Sequence, residues 1–483
     1  MGWRKKMETR NLTLLLDFYE LTMANGFLQE SPGKIGYFDL YFRKVPDQGG
    51  VVVYTGLAQV IKYLDNLNFT DSDIEYLRSL DTFDDKFLDY LKNFEFKCDV
   101  WSMKEGTPAF PNEPLITVRG PILQVQLLET MLLNIVNHES LIATKARRVC
   151  MIAHGRPVME FGSRRAQGAD AATYGARAAV IGGCLGTANV LSAKQFGLKP
   201  LGTMAHSWVQ SFESEQDAFA AWMRVYPHNC LLLVDTYDVL KSGVPHAIEI
   251  FKQLQAQGIN GPFGIRIDSG DITYLTKQAR KMLDQAGFTN AKITISNALD
   301  EDVIQNVLEE GAQIDSFGVG EKLITAASDP VLSGVYKLVA VQEDGQLIPK
   351  IKLSNTVEKT TIPGFKHPYR MYDEDGKARG DLLLLASEKI RQNSKIYNSD
   401  PNKTIQTRRL KKWQLKPLHQ QIYAAGKLVY QQPATLAVKD YSQEKISELP
   451  EACLRLKNPD IYDVFWSKQV RQLRTKMIDE FTN

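Results

Sequence analysis

Pro157-Val-Met-Glu-Phe-Gly162, Pro200-Leu-Gly-Thr-Met-Ala205, Cys230-Leu-Leu-Leu-Val-Asp235, Phe263-Gly-Ile-Arg-Ile-Asp268, Lys292-Ile-Thr-Ile-Ser296 and Ser316-Phe-Gly-Val319 are short apolar runs that stop at a polar or glycine-bearing step. Runs of this length, bounded by turn residues, read as buried strands. Between them, 169–182, 216–225, 244–257, 274–286 and 300–310 carry apolar residues at helical spacing. Strand alternating with helix implies a parallel sheet with right-handed crossovers. Six such strands, seven if 336–341 joins them, predict an α/β fold with an irregular barrel related to the eight-fold (β/α) design. An open doubly wound sheet is the alternative.

Outward from that region the pattern changes on both sides. Upstream, 35–42 alternates, with Phe38, Leu40 and Phe42 on one side and Tyr37, Asp39 and Tyr41 on the other, and predicts a strand. The stretch 51–64 reads as a helix entered from the Gly49-Gly50 turn, and 70–80 as a capped helix with Asp71 and Asp73 at its positive end. Prolines in 108–114 and the Gly120-Pro121 step punctuate the passage into 122–154, which predicts a long helix and a second one beginning near Asn137. Beyond Pro349 the alternation stops and charged, turn-rich sequence follows. The expected organisation is an N-terminal α/β domain over 1–120, the barrel over 121–349 and a small C-terminal domain over 350–483. No internal repeat of solenoid period is visible.

The chain has 483 residues, of which 44% are hydrophobic and 24% charged, which excludes disorder as its main state and allows a large core without staples. Lys plus Arg is 58 and Asp plus Glu 56, so the charge balance gives no general pull toward nucleic acid or an anionic membrane. Cys98, Cys150, Cys184, Cys230 and Cys453 are scattered without CxxC spacing, which argues against a disulfide framework or zinc knuckle. The basic start, Met1 to Met7, lacks the apolar stretch of a secretory signal, and no run is long enough to span a membrane. A reduced, cytoplasmic protein is expected.

In parallel α/β architecture ligands bind at the carboxyl ends of the strands. Here those ends carry Phe161-Gly-Ser-Arg-Arg165, His206-Ser207, Asp235-Thr-Tyr-Asp238, Arg266-Ile-Asp-Ser-Gly-Asp271, Ser296-Asn297 and Gly318-Val-Gly320. This vocabulary suits a phosphate-rich substrate. Gly318 and Gly320 let backbone N–H groups approach phosphate oxygens, a following helix N-terminus adds positive potential, and Thr325 offers a hydroxyl. Ser296-Asn297 suits phosphate equally, or caps the next helix. Arg164, Arg165 and Arg266 supply fork-shaped donors. Asp235, Asp268 and Asp271 suit Mg²⁺ shared with substrate phosphates, or else belong to an ion-pair network with those arginines. His206 is neutral and nucleophilic near pH 7 and can attack a phosphoryl group, with Asp235 as the candidate orienter. There is no Walker loop, and Ile181-Gly-Gly-Cys-Leu-Gly-Thr187 suits close helix packing rather than dinucleotide binding.

Together with Leu16-Asp-Phe-Tyr-Glu-Leu-Thr-Met-Ala24 and Gly202-Thr-Met-Ala-His-Ser-Trp208, these motifs resemble the nicotinate phosphoribosyltransferase family, in order from about residue 11 to 370 and more loosely beyond. The resemblance implies an enzyme, a C–N ligase by class, that joins nicotinate to 5-phosphoribosyl 1-diphosphate (PRPP). Nicotinate mononucleotide and pyrophosphate are the products, in NAD salvage. It further implies ATP as co-substrate, its hydrolysis coupled through a phosphohistidine at His206, with Mg²⁺ assisting. An N-terminal α/β domain, an irregular barrel and a C-terminal domain are implied, with active sites shared across a homodimer. Carried over by residue, Tyr19 covers the pyridine ring from the partner subunit and Phe161 lies on its other face. Arg164, Thr203 and Arg266 surround nicotinate and the ribosyl diphosphate, with Arg165 beside them. Asp235 and Asp268 stand near the histidine and hold the metal directly or through water. Ser296, Gly318, Gly320 and Thr325 hold the 5-phosphate. Nicotinamide-using relatives carry an Asp after a Gly-Thr pair. Gly186-Thr187 is followed here by Ala188, so no carboxylate opposes that of nicotinate.

Two other readings compete. Lys403, Arg408, Arg409, Lys411, Lys412 and Lys416, with Trp413, form an acid-free stretch in 401–425 that would suit nucleic acid, though a solvated face is the simpler account. The same fold could instead take nicotinamide or quinolinate. Tyr19, spaced helically with Leu16 and Met23, also suits a core position.

Overall fold

The computed structural model describes residues 10–354, 360–400, 403 and 406–482. Met1 to Met7 and residues 401, 402, 404 and 405 of the basic stretch lie outside them. The chain forms two compact units. One gathers Leu141–Pro330 and Ala434–Asp440, and the other the described residues of Met1–Ser140, Val331–Pro433 and Tyr441–Asn483.

The first unit is built on a six-stranded, wholly parallel sheet. Its spatial order is Gly186–Thr187, Val158–Glu160, Ser316–Val319, Lys292–Ile295, Phe263–Ile267, Cys230–Leu233. The first of the longer strands along the chain thus pairs with the last, Phe317 facing Val158, so the order is circular with one gap. That is a curled, incomplete barrel, not a doubly wound sheet. The strands are apolar on both faces, with Leu232, Ile265, Ile293, Ile295 and Phe317 fully buried, as expected of a parallel sheet covered by helices.

The gap lies where the sequence predicts a strand at 200–205. Only Pro200 bridges to Thr187, Thr187 N–H donating to Lys199 O at 3.1 Å and Leu201 N–H to Thr187 O at 2.9 Å. Proline has no ladder N–H to give, and Gly202 at φ 156° turns the chain out of register. The paired strand is instead Gly186–Thr187, from the glycine-rich run read for helix packing. The packing expectation also holds within that run, since a Cβ on Gly182 would run into Ala143 and Ala146 of the neighbouring helix.

In the other unit Ile35–Phe42 forms the predicted strand, between Gly334–Glu343 and Ile116–Pro121, antiparallel to both. The stretch 336–341 is therefore not a seventh barrel strand. Asp344-Gly345, with φ of 47° and 79°, makes a two-residue hairpin to Gln346–Pro349, and a hairpin gives antiparallel pairing where the barrel needs a crossover. The helix expected over 51–64 begins only at Leu57. Val52–Val53 pairs with Pro108–Ala109, and Gly56 at φ 105° blocks helix through the apolar run. The Asp71–Ser79 helix is capped reciprocally by Thr70 and Asp73, as predicted. The long helix breaks after Gln126 rather than near Asn137, giving Ile122–Gln126 and Glu129–Ile152. Much of the basic stretch is partnered locally, Arg408 with Asp463 at 3.4 Å and Lys416 over the Tyr372 ring at 4.5 Å. No helix of the described residues is long and apolar enough to cross a membrane.

Candidate active site

The carboxyl ends of the parallel strands carry the site, all within the first unit. The Phe263–Ile267 strand delivers Arg266 and, one residue past its end, Asp268. The Arg266 guanidinium donates from Nη1 to Thr203 Oγ1 at 3.0 Å and from Nη2 to the Met204 carbonyl at 2.9 Å. It therefore pins the segment that leads into His206. Its Nε–H is buried without an acceptor. Burial pulls its pKa below the usual guanidinium value, the carboxylates of Asp268 and Asp235 oppose that, and nearby Arg164 adds to it. The group stays charged, held beside a second guanidinium, as an anion site requires.

Asp235 follows the Cys230–Leu233 strand and is buried. Its Oδ2 accepts from the Asp268 N–H at 3.0 Å and from Ser269 Oγ at 2.6 Å, while Oδ1 is buried with no hydrogen-bond partner. Asp268 in turn accepts from Ser296 Oγ at 2.5 Å. His206 opens a short helix, His206–Gln210, and its Nε2 faces both acids, 4.0 Å from Asp235 Oδ1 and 3.9 Å from Asp268 Oδ2. Those separations exceed hydrogen-bond length and leave a polar gap between imidazole and carboxylates. The other ring nitrogen, Nδ1, pairs with Thr236 Oγ1 at 3.1 Å. The hydroxyl of Thr236, rather than Asp235, makes the orienting hydrogen bond. Thr236 and Ser269 went unassigned from sequence although both lie inside quoted motifs.

The Val158–Glu160 and Ser316–Val319 strands form the opposite rim. Glu160 is buried. Its carboxylate accepts from the Gly162 N–H and, at 2.5 Å, from Thr187 Oγ1, and so folds the Phe161 turn back onto the sheet. Burial pushes its carboxyl pKa up. Phe161 extends the ladder, its N–H donating to Val319 O at 2.8 Å. The Phe161 ring lies directly on Gly318, where a Cβ would come within 2.6 Å of ring carbons, so that glycine is required by close approach. Gly320 passes the Phe161 carbonyl less closely, 3.3 Å for a would-be Cβ. The helix that follows, Glu321–Ile324, is a single turn with an acid at its start and adds little dipole. Thr325 donates its hydroxyl back to Glu321 O at 2.7 Å. Arg165 is exposed and 3.4 Å from Glu321.

Three other acids act as helix caps. Asp238 accepts from Leu240 and Lys241 N–H groups, Asp271 from Tyr274 N–H and Asp300 from Val303 N–H. Asp271 is thus a cap in place of a metal ligand, and Asp300, not Ser296-Asn297, caps the Glu301–Glu309 helix. Among the described residues no group of three or more His, Cys, Asp and Glu is arranged to hold a metal. Two carboxylates, one with an orphaned oxygen, do fit Mg²⁺, which keeps waters and substrate phosphates as ligands.

Tyr19 belongs to the other unit, on the Phe18–Glu30 helix. Leu21, Ala24 and Leu28 form that helix's buried face, while Tyr19 is 43% and Met23 41% exposed, so Tyr19 is not a core residue. Partial burial and the carboxylate of Glu129 push its phenol pKa up, keeping the hydroxyl protonated.

Family descriptions match the chain in three segments: the nicotinate phosphoribosyltransferase N-terminal domain over residues 14–137, the nicotinate phosphoribosyltransferase family over 157–379 and its C-terminal domain over 365–474. The chain is 41% identical over 470 residues to the nicotinate phosphoribosyltransferase of Bacillus subtilis, covering 96% of this chain and 95% of that protein. The crystal structure of human nicotinic acid phosphoribosyltransferase superposes with a TM-score of 0.84 at 29% identity, covering 95% of this chain and 99% of that one. A nicotinate-nucleotide pyrophosphorylase from Pyrococcus furiosus shares the fold, with a TM-score of 0.69 at 24% identity over 93% of this chain and 99% of that one.

Proposed function

The chain belongs to the nicotinate phosphoribosyltransferase family, and from that premise we propose that it converts nicotinate and PRPP to nicotinate mononucleotide and pyrophosphate, coupled to ATP hydrolysis through phosphorylated His206. The observation that carries this reading is the cluster at the barrel rim, where His206 Nε2 stands 4.0 Å from Asp235 and 3.9 Å from Asp268, beside Arg266 with its buried, unpartnered Nε–H.

In the transfer step the ring nitrogen of nicotinate gives its lone pair to C1 of the ribosyl group. The C1–O bond breaks and its electron pair leaves on pyrophosphate. Arg266, with Arg164 beside it, stabilises the charge that grows on the leaving oxygens. Phe161 lies flat against the pyridine ring. Ser296, Gly318, Gly320 and Thr325 hold the 5-phosphate end, and Arg165 the outer edge. Thr203 keeps Arg266 aimed. In the coupled step Nε2 of His206 attacks the γ-phosphorus of ATP and ADP departs. Proton retention on Nδ1, donated to Thr236, leaves the Nε2 lone pair free for that attack. Asp235 and Asp268, with substrate oxygens and waters, would hold Mg²⁺, whose charge neutralises the diphosphate when bound. Ala188, directly after Thr187, leaves room and no opposing charge for the nicotinate carboxylate.

The remaining parts of the reading concern assembly and setting. Two copies pair, and the exposed Tyr19 of the partner subunit closes over the pyridine ring. The three-part division near 120 and 349 is read along the chain, where the family matches fall in the same order over 14–137, 157–379 and 365–474. All five cysteines are free, as suits a reduced cytoplasm.

Product formation from nicotinate and PRPP, with and without ATP and Mg²⁺, tests the reaction, with nicotinamide and quinolinate assayed in parallel. Incubation with γ-labelled ATP is expected to leave acid-labile label on the wild type and none on His206→Ala. Label persisting on that variant overturns the coupling.

A further inference from the structure

The unit that contains the N- and C-terminal segments holds a cleft of about 500 Å³ apart from the residues assigned to the transfer. Its wall is assembled from distant stretches of chain. Arg43 follows the Ile35–Phe42 strand, Tyr397 lies in the Lys395–Asn398 strand, Trp466 ends the Val464–Trp466 strand, and Arg471 and Arg474 lie one turn apart on the Lys468–Thr482 helix. Four cations, Arg43, Lys44, Arg471 and Arg474, face one carboxylate, Asp400.

The arginines are placed by aromatic rings rather than by acids. Arg474 stands over Trp466, 5.3 Å from the ring centre, and Arg471 over Tyr397 at 4.3 Å. Stacking fixes a guanidinium plane and leaves its N–H edge free to donate. The stacked Arg474 has its Nε–H buried without an acceptor, and so have Arg43 at Nε and the Trp466 indole at Nε1. Arg43 does bond the Tyr41 phenol, which occupies another edge of its guanidinium. Burial alone pulls the Arg474 pKa down, with no carboxylate opposing it. A desolvated guanidinium with no acidic partner among the described residues is costly unless an anion completes it.

We propose that this cleft binds a phosphate ester of nucleotide size, its phosphate seated on Arg43, Arg471 and Arg474. The fork donors match phosphate oxygens bidentately. The volume lies in the range that holds an organic ligand rather than a bare ion. The side-chain amide of Asn112 in the wall suits the polar edge of a base, while that of Asn398 is taken by Asp463 and the Asp400 N–H. The inference does not rest on the phosphoribosyl-transfer reading.

Calorimetric titration of the full chain with AMP, ribose 5-phosphate and inorganic phosphate tests it. AMP is expected to bind the wild type tightest. Arg474→Leu weakens AMP about tenfold or more, and Arg474→Lys, which keeps charge but not the fork, weakens it less. Trp466→Phe, which removes the indole N–H and trims the ring under Arg474, weakens it a few-fold, and each variant is titrated in the Arg266→Leu background, which removes AMP held at the barrel rim and keeps that in the cleft. If Arg474→Leu fails to fold, the Lys and Phe variants decide. AMP binding that survives all three cleft variants, that vanishes in Arg266→Leu, or that equals inorganic phosphate overturns the proposal.

Discussion

The Thr236 hydroxyl can accept from Nδ1–H of His206 or donate to a bare Nδ1, and only the first arrangement, the one the phosphohistidine reading requires, leaves Nε2 with its lone pair. Thr236 Oγ1 lies 3.1 Å from Nδ1, so the tautomer with a proton on Nδ1 has an acceptor ready and Nε2 keeps its lone pair toward Asp235 and Asp268. Thr236→Val removes that acceptor while keeping the shape. Acid-labile labelling from γ-labelled ATP is expected to slow by about tenfold to a hundredfold, the usual range for losing a group that orients a reacting imidazole. Thr236→Ser should restore it, and labelling at the wild-type rate in the Val variant would refute the tautomer argument. Glu160 acts in the same indirect way on Phe161. Both its oxygens accept, so in Glu160→Gln an NH₂ turned toward Gly162 meets another N–H, and one turned toward Thr187 makes that hydroxyl reverse from donor to acceptor. Facing two donors costs on the order of 1–3 kcal/mol. The expected readout is a raised KM for nicotinate with histidine labelling unchanged. At this scale the charged members of the site were legible because strand ends in a parallel sheet converge. Thr236 and Ser269 were not, because a hydroxyl acquires its role only from a neighbour far along the chain. Asp271 went the other way, read for Mg²⁺ while its carboxylate is taken by the Tyr274 N–H of the helix it starts.

Among the elements, the buried parallel strands were legible because both faces are apolar and the runs are unbroken. The failures share a cause, since pairing partners are not written in a segment's own pattern. The stretch 200–205 has strand composition but meets its neighbour through a proline, and 336–341 has the pattern of a barrel strand but belongs to a hairpin. The close contact between the Val158–Glu160 and Ser316–Val319 strand ends gives an element-level prediction. Gly318→Ala places a methyl 2.6 Å from the Phe161 ring, so the ring or the strand must shift. Overpacking of this kind costs about 1–3 kcal/mol. Nicotinate binding is expected to weaken by about tenfold or more at that magnitude, with little change in kcat. Because the chain at Gly318 does not need a positive φ, any loss reflects the ring contact and not backbone strain. Combining it with Phe161→Leu, which frees the space, should recover part of the thermal stability. A double variant no more stable than the sum of the singles would show that the contact is not the cause.

Across the whole molecule, two kinds of buried titratable group set the response to acid. Glu20, Glu113 and Glu160 have carboxyl pKa values raised mainly by burial. Such groups take up protons at a higher pH in the folded chain than in the unfolded one, so they favour folding as pH falls. His367 and His419 pull the other way. Their Nδ1 atoms meet at 3.1 Å, and His419 Nε2 bonds the Pro114 carbonyl at 2.7 Å. A carbonyl only accepts, so His419 carries its proton on Nε2 and receives one from His367 at Nδ1. A further proton on His419 would set two N–H groups against each other. Burial, with the charge of His367 adding to it, pushes the His419 pKa down to about 3, and burial lowers that of His367 as well. The unfolded chain takes up these protons near the ordinary histidine value of about 6.5. Stability contributed by the pair is therefore complete above about pH 6.5 and is lost as pH falls toward 3, by at most about 1.4 kcal/mol per pH unit for each histidine. His419→Gln keeps a donor near the Nε2 position for Pro114 and cannot be protonated. Melting temperatures measured between pH 7 and 4.5 are expected to fall less steeply for this variant than for the wild type. Its curve lies below the wild type at pH 7, where the His367 hydrogen bond is lost, and approaches it in acid. Parallel curves would mean that the pair is protonated alike in the folded and unfolded chain.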